Sequence, residues 1–160
     1  MKKMLFSKIL LLPVIVLLLS YCSKPTGPDV PEQVFQAPHR AHIDGYSFEL
    51  EANLNRDFMT ACPPGGRPMS AFITVQEIQS QPITRTLRVD MIWVINGNEA
   101  WHSSLNDYEG NRDSTRIQAF TGGGPKWETG IRVTVVVRLV DEDSNYYLLR
   151  ASDQLIRRSC

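Results

Sequence analysis

Two histidines and an aspartate near the start of the chain have side chains that can bind metal. His39, His42 and Asp44 lie close together, and imidazole and carboxylate groups are ligands of zinc and copper. On an extended chain His39 and His42 point to opposite faces, so they can chelate one ion only where the chain turns. A solvated loop explains the same residues, and we expect no metal site here.

A second group has the spacing of the first ligands of a calcium loop. Asp141, Asp143 and Asn145 alternate with other residues, but a complete loop also needs glycine at its sixth position and glutamate at its twelfth. This chain has Tyr146 and Ser152 there. The sequence therefore predicts a polar hairpin turn rather than a calcium site.

A third group combines a base, hydroxyl groups and a carboxylate: His102, Ser103, Ser104 and Asp107. No glycine elbow or oxyanion motif surrounds either serine, and a catalytic triad depends on three-dimensional geometry that adjacency in sequence does not supply. The run Gly122 to Gly124 lacks the lysine and the strand-to-helix setting of a phosphate loop. We therefore predict no catalytic residues, no cofactor and a protein that is not an enzyme.

Aromatic residues in or beside predicted loops and strand edges are the remaining candidates for a binding site. Such rings stack on sugars or contact a protein partner. The alternative is that they close the ends of the domain and belong to its core. The candidates for ligand or partner contact are Trp101, Tyr108, Trp127 and Tyr146.

The N-terminus has the pattern of a secretory signal. Lys2, Lys3 and Lys8 precede an unbroken apolar run from Ile9 to Leu19, which is typical of a signal peptide. The run is too short for a membrane span, since a span needs about 20 apolar residues. The sequence therefore predicts export.

The residues that end this run, Leu19-Ser20-Tyr21-Cys22, resemble the lipobox of bacterial lipoproteins, with Tyr21 where a small residue is usual. The resemblance covers residues 1–22. It implies a signal peptide of residues 1–21, a lipid on Cys22 and attachment to a membrane through that lipid. Ser23, which is not aspartate, implies the outer membrane under enteric-type sorting. The alternative is a plain signal peptide that is cut elsewhere.

Residues 22–33 are predicted to form the lipidated cysteine and a tether. Prolines 25, 28 and 31 prevent a helix or an interior strand, which favours a semi-extended linker. Residues 34–160 are enough for one domain. The chain has 17 basic and 17 acidic residues. Three lysines leave with the signal, so the mature part has a net charge of −3, which does not favour nucleic acid as a partner.

If Cys22 carries lipid, two cysteines remain that can form a disulfide. Cys62 and Cys160 are then the only other two, and thiols in an oxidising compartment are usually bridged. We expect a disulfide between Cys62 and Cys160 that closes a loop of about 100 residues. The alternative is two free thiols.

Alternation of apolar and polar residues predicts an all-β domain. Three long runs have this period of two, and shorter runs lie between turn signals such as Asn96-Gly97. No stretch has a convincing helical period. The long runs are 46–54, 87–95 and 131–140, and the shorter ones are 71–78, 101–105, 116–120, 146–151 and 155–158.

Seven to eight short strands without helices predict an antiparallel β-sandwich or a small barrel, and the polar outer faces of two strands favour the sandwich. The C-terminal part resembles the last two strands of immunoglobulin-like and fibronectin-type domains. The pattern consists of Trp127 to Gly130, a valine-rich strand, a polar turn and then Tyr-Tyr-Leu-Leu. We expect Trp93 to lie in the core of this sandwich.

Three functional hypotheses follow from the sequence. The first is a lipid-anchored protein of the cell envelope with a non-enzymatic β-domain that binds or scaffolds an envelope protein or glycan. The second is a carbohydrate- or ligand-binding module at the cell surface that uses Trp101 or Trp127. The third is a metal-binding protein or a hydrolase that uses the histidines.

Overall fold

The computed structural model describes residues 30–59, 62–107 and 115–159, and this part of the chain is built almost entirely from β-strands. The predicted all-β class is therefore confirmed. The predicted signal peptide, Cys22, Tyr108 and Cys160 lie outside the described residues.

The described residues form one short helix and nine strands. The helix, α1, is Glu32–Phe35. The strands are β1 Ala41–Ile43, β2 Tyr46–Asp57, β3 Met69–Glu77, β4 Leu87–Asn96, β5 Glu99–Ser104, β6 Asn106–Asp107, β7 Arg116–Gly124, β8 Arg132–Asp141 and β9 Tyr146–Ser159.

The strands pair in a single curled sheet in the order β5-β4-β8-β9-β2-β3-β7-β6, and β1 pairs with β2. The two halves, β5-β4-β8-β9 and β2-β3-β7-β6, have the C′-C-F-G and A-B-E-D strand orders of immunoglobulin-like domains. All described pairings are antiparallel except that between β9 and β2. The sheet is therefore mixed rather than wholly antiparallel as the sequence predicted.

Strand β9 joins the two halves. Its first part pairs with β8 as far as Leu155, and residues 156–159 pair in parallel with residues 54–57 of β2. Within the part that pairs with β8, Asp153 has φ 58°, and the register shifts between Val133 and Val135. The Arg132 side chain donates to the Asp153 carbonyl over 2.8 Å. This irregularity explains why the sequence pattern predicted two strands where the structure has one.

The main core lies between the two halves of the sheet. It collects the inward residues of the alternating strands, as expected for a sheet with one buried face. The fully buried side chains with the largest volumes in this core are Ile43, Phe48, Leu54, Met69, Ile73, Ile92, Leu139, Leu149 and Ile156.

Strand β4 changes phase in its middle, which the sequence pattern did not predict. The register with β8 shifts between Val89 and Met91, so the strand bulges at Asp90. The Asp90 carboxylate there accepts two hydrogen bonds of 2.8 Å from the guanidinium of Arg138. After the bulge Ile92 enters the main core, and the next residue faces the other side.

Trp93 is therefore not part of the main core, contrary to the prediction. It belongs to a second cluster on the outer side of β4 and β8, where Trp93 and Val136 are buried under Val34 and Ala37. The residues that pack around this cluster are Val30, Met91, Ile95 and Leu148. The sequence pattern did not predict which side Trp93 faces, because β4 has apolar residues on both of its sides.

Residues 30–39, which we call the N-terminal segment, are thus part of the folded domain. Besides the apolar contacts, Arg150 holds them by hydrogen bonds: its backbone N–H donates to the Pro38 carbonyl over 2.8 Å, and its guanidinium donates to the Phe35 carbonyl over 3.3 Å. The same guanidinium lies 3.1 Å from Nε2 of His39. Val30, which precedes residue 34, already packs against the second cluster.

Within the three described stretches, no helix has the length and apolar character that a membrane span requires.

The N-terminal segment gives a test of the second cluster. Val34→Ala removes two methyl groups from a side chain that is 2 % exposed, and we expect the free energy of unfolding to fall by about 1.5 kcal/mol. Urea unfolding measures the change. The control is Gln33→Ala on the exposed side of the same helix, for which we expect less than about 0.5 kcal/mol. Equal effects of the two substitutions would contradict the packing described.

The predicted disulfide stays a prediction. Cys62 has a free thiol in the structure. The chain segments that flank the two cysteines are neighbours, because the Phe58 N–H donates to the Ser159 carbonyl over 3.0 Å and the Cys62 N–H donates to the Met59 carbonyl over 2.7 Å. Cys160 follows Ser159 directly in sequence.

We expect the exported protein to contain the Cys62–Cys160 bridge and to lose up to about 4–5 kcal/mol of unfolding free energy on reduction. Thiol titration of unreduced protein measures the bridge, and urea unfolding with and without reductant measures its effect. Cys62→Ser is the control, since reductant should not change its stability. Two titratable thiols in the protein isolated from its native compartment would refute the prediction.

Candidate functional site

The two tryptophans predicted to contact a ligand pack against the main core. Trp101 of β5 approaches Gly124 at the end of β7, where a Cβ atom would come within 3.2 Å of the indole ring. The indole N–H of Trp127 donates to the Glu99 carboxylate over 2.5 Å. Both rings are half-buried and pack against the main core, as in the alternative that they close an end of the domain.

Arg56 fixes the loop that places Trp127. This side chain is 5 % exposed, and its guanidinium donates to the carbonyls of Lys126 and Trp127 over 3.1 and 2.7 Å. It also donates to the Gly65 carbonyl and lies 4.8 Å from the ring centre of Phe58. The charge of Arg56 is thus satisfied by backbone oxygens, and its role is to join two loops.

Tyr146, which the sequence also predicted to contact a ligand, does not lie beside Trp101. Tyr146 is 57 % exposed at the start of β9, where its register partner is Val140. Trp101 is paired instead with Val94 of β4. Tyr108 lies outside the described residues. Trp127 contacts Glu99 on the strand that carries Trp101, whereas Tyr146 lies on β9.

The three histidines of the chain occupy separate environments. His39 contacts Arg150, and Nδ1 of His42 lies 2.9 Å from the Ser47 hydroxyl. His102 lies on β5 opposite Trp93. Over residues 30–59, 62–107 and 115–159, no group of three or more His, Cys, Asp or Glu side chains is arranged to hold a metal ion.

The carboxylate of Asp141 is used within its own hairpin turn. Its oxygens accept hydrogen bonds from the Asn145 side chain over 3.0 Å and from the backbone N–H groups of Asn145 and Asp143 over 2.8 and 3.0 Å. These bonds, the Asn145 side chain first, hold the pKa of Asp141 below its ordinary value. The predicted polar turn accounts for this motif.

The hydroxyl of Ser103 is also used in the fold. It lies 2.9 Å from the Thr121 hydroxyl and donates to the Ser104 carbonyl over 3.0 Å. The first of these contacts links the edge strand β5 to β7 on the far side of the curled sheet. Ser103 therefore has a structural role in this arrangement.

A surface that the sequence analysis did not single out lies on the solvent side of β2, β3 and β7. We call it the outer face. Its central row is Asn53, Phe72 and Phe120, which are register partners on the three strands. Phe120 is 45 % exposed and Phe72 is half-buried. Two phenylalanines thus lie side by side on the solvent side of a sheet.

Polar side chains, mostly uncharged, lie in the rows on both sides of this aromatic pair. The row on one side includes Thr74 and Gln118, which are register partners, and the row on the other side includes Asn55 and Ser70. The Asn55 side chain donates to the Asn53 side-chain oxygen over 2.8 Å. This bond aligns two amide groups along β2 beside the phenylalanines.

A shallow cavity of about 210 Å³ continues the outer face along the strands. One of its two carboxylate residues, Glu49, forms an ion pair of 2.6 Å with Arg40. The residues that line the cavity are Glu49, Leu50, Glu51, Gln76 and Ile78. Glu51 is the register partner of Thr74, so the cavity adjoins the row next to the aromatic pair.

The sequence contained a usable signal for this surface. In the alternation of β3, Phe72 shares its phase with Ser70, Thr74 and Gln76, and in β7 Phe120 shares its phase with Gln118. A phenylalanine in the polar phase of a strand is directed to solvent. Each strand alone predicts only one exposed phenylalanine, which is common on protein surfaces. The pairing of β3 with β7, which makes the two rings neighbours, cannot be read from the sequence.

Comparison of the chain with models of protein families, with curated proteins and with solved structures gives no significant match. The function is therefore argued from the residues and the geometry.

Proposed function

We propose that the protein is an exported lipoprotein of the bacterial cell envelope with a non-enzymatic β-domain that binds another envelope component. Residues 1–21 are the signal peptide, and Cys22 carries the lipid that attaches the protein to the outer membrane. The support for this part is the basic start, the apolar run and the lipobox-like ending at Cys22.

The N-terminal segment adds a geometric argument to this proposal. Because Val30 packs against the second cluster, at most seven residues, 23–29, separate Cys22 from the packed part of the chain. Seven residues span at most about 25 Å. A lipid on Cys22 therefore keeps the domain close to the membrane surface, where it meets partners of the same envelope.

The outer face is the observation on which the binding function rests. Phe120 exposes almost half of its side chain beside Phe72, in a row that crosses three strands. Exposed aromatic side chains with polar neighbours are typical of binding surfaces. The partner is an envelope protein or a glycan, and the glycan alternative has the specific support of amide and hydroxyl groups around the rings.

The lipid anchor is tested by labelling the protein with a fatty acid in its native host. We expect the wild type to carry the label and to fractionate with membranes, and Cys22→Ala to be unlabelled and released from them. Cys62→Ala is the matched control, which should keep both the label and the membrane association because it leaves the lipobox-like motif intact. An unlabelled wild type would refute the anchor.

A further inference from the structure

The aromatic pair of the outer face has a defined geometry. Phe72 and Phe120 are directly opposite each other in antiparallel strands, and Cβ atoms of such residues lie about 4.5–5.5 Å apart. Asn53 continues the row on β2. The result is a small apolar platform on a sheet face whose other outward residues are mostly polar.

The groups around this platform both donate and accept hydrogen bonds. Amides donate through nitrogen and accept through oxygen, and hydroxyls do both. Asn53 and Gln118 supply amides, and Thr74 supplies a hydroxyl, within one row of the rings. The bond between Asn55 and Asn53 orients one of these amides before any ligand arrives.

We propose that the outer face binds a neutral oligosaccharide; this inference rests on the proposed envelope-binding function and names the ligand class of that same site. A pyranose ring has an apolar C–H face that packs on Phe72 and Phe120. Its hydroxyl groups meet the amide and hydroxyl side chains at the edge of the platform. The ligand class follows because both kinds of surface adjoin within one site.

Charge distinguishes a neutral from an acidic sugar. Carboxylate and phosphate groups are recognised mainly by arginine and lysine. The outward arginine of β7, Arg116, lies four residues from Phe120, which is about 13 Å along the strand. Two charged residues of opposite sign lie in the rows that flank the rings: Glu51 opposite Thr74, and the exposed Arg157 opposite Asn55. Their charges cancel, so these rows do not select an anionic sugar.

The length of the face favours a chain of sugars over a single one. From Phe72 the solvent side of β3 continues through Thr74 to Gln76, which lines the cavity of about 210 Å³. This distance is again about 13 Å. Platform and cavity therefore form one continuous surface on which more than one ring can lie.

The test is isothermal titration calorimetry on the full-length protein, extracted in a detergent without a sugar headgroup. The probes are neutral hexasaccharides of glucose, mannose and N-acetylglucosamine, and an acidic hexasaccharide of galacturonic acid. We expect at least one neutral probe to bind, and Phe120→Ala to weaken that binding by at least about tenfold. Tyr146→Ala, which removes an exposed aromatic outside the face, should leave the affinity unchanged.

A second variant distinguishes a loss of binding from a folding defect. If Phe120→Ala lowers the thermal unfolding temperature, Gln118→Ala replaces it, and we expect this variant to weaken binding while the unfolding temperature stays at the wild-type value. Absence of binding to every neutral probe, binding to the acidic probe alone, or equal affinity in the wild type and a folded outer-face variant overturns the proposal. None of these results affects fatty-acid labelling, so failure of the glycan site is distinguishable from failure of the anchor.

Discussion

Strand β9 leaves β8 and joins β2, and the rest of the domain depends on this change of partner. The hydrogen bonds of β9 with β8 hold one half of the sheet, and its parallel bonds with residues 54–57 of β2 hold the other. Ile156, fully buried at the point of change, packs into the core shared by both halves. The left-handed backbone at Asp153 lies within the pairing with β8, shortly before the strand changes partner at Ile156.

The outer sides of the two halves of the sheet differ in the residues that cover them. On the half formed by β4 and β8, Trp93 and Val136 are apolar and are covered by Val34 and Ala37 of the N-terminal segment. On the half formed by β2, β3 and β7, Phe120 is exposed beside the half-buried Phe72, among polar side chains. The N-terminal segment thus covers the outer side of β4 and β8. The outer face of β2, β3 and β7 is the surface that we propose for a partner.

Local pattern predicted the all-β class and most strand positions, because alternation is a property of each strand alone. It did not predict that β4 changes phase, since the bulge at Asp90 depends on Arg138 of a neighbouring strand. The same limit explains the wrong expectation that Trp93 lies in the main core. The outer face was missed because Phe72 and Phe120 become neighbours only through strand pairing.

The central claim is that the anchored protein contacts its partner through the outer face. Site-specific photo-cross-linking in the native host tests it most directly, with a benzophenone amino acid in place of Gln118 on that face or of Tyr146 outside it. We predict that the probe at position 118 attaches an envelope component and that the probe at position 146 does not. Cross-links from position 146 with none from position 118 would contradict the account.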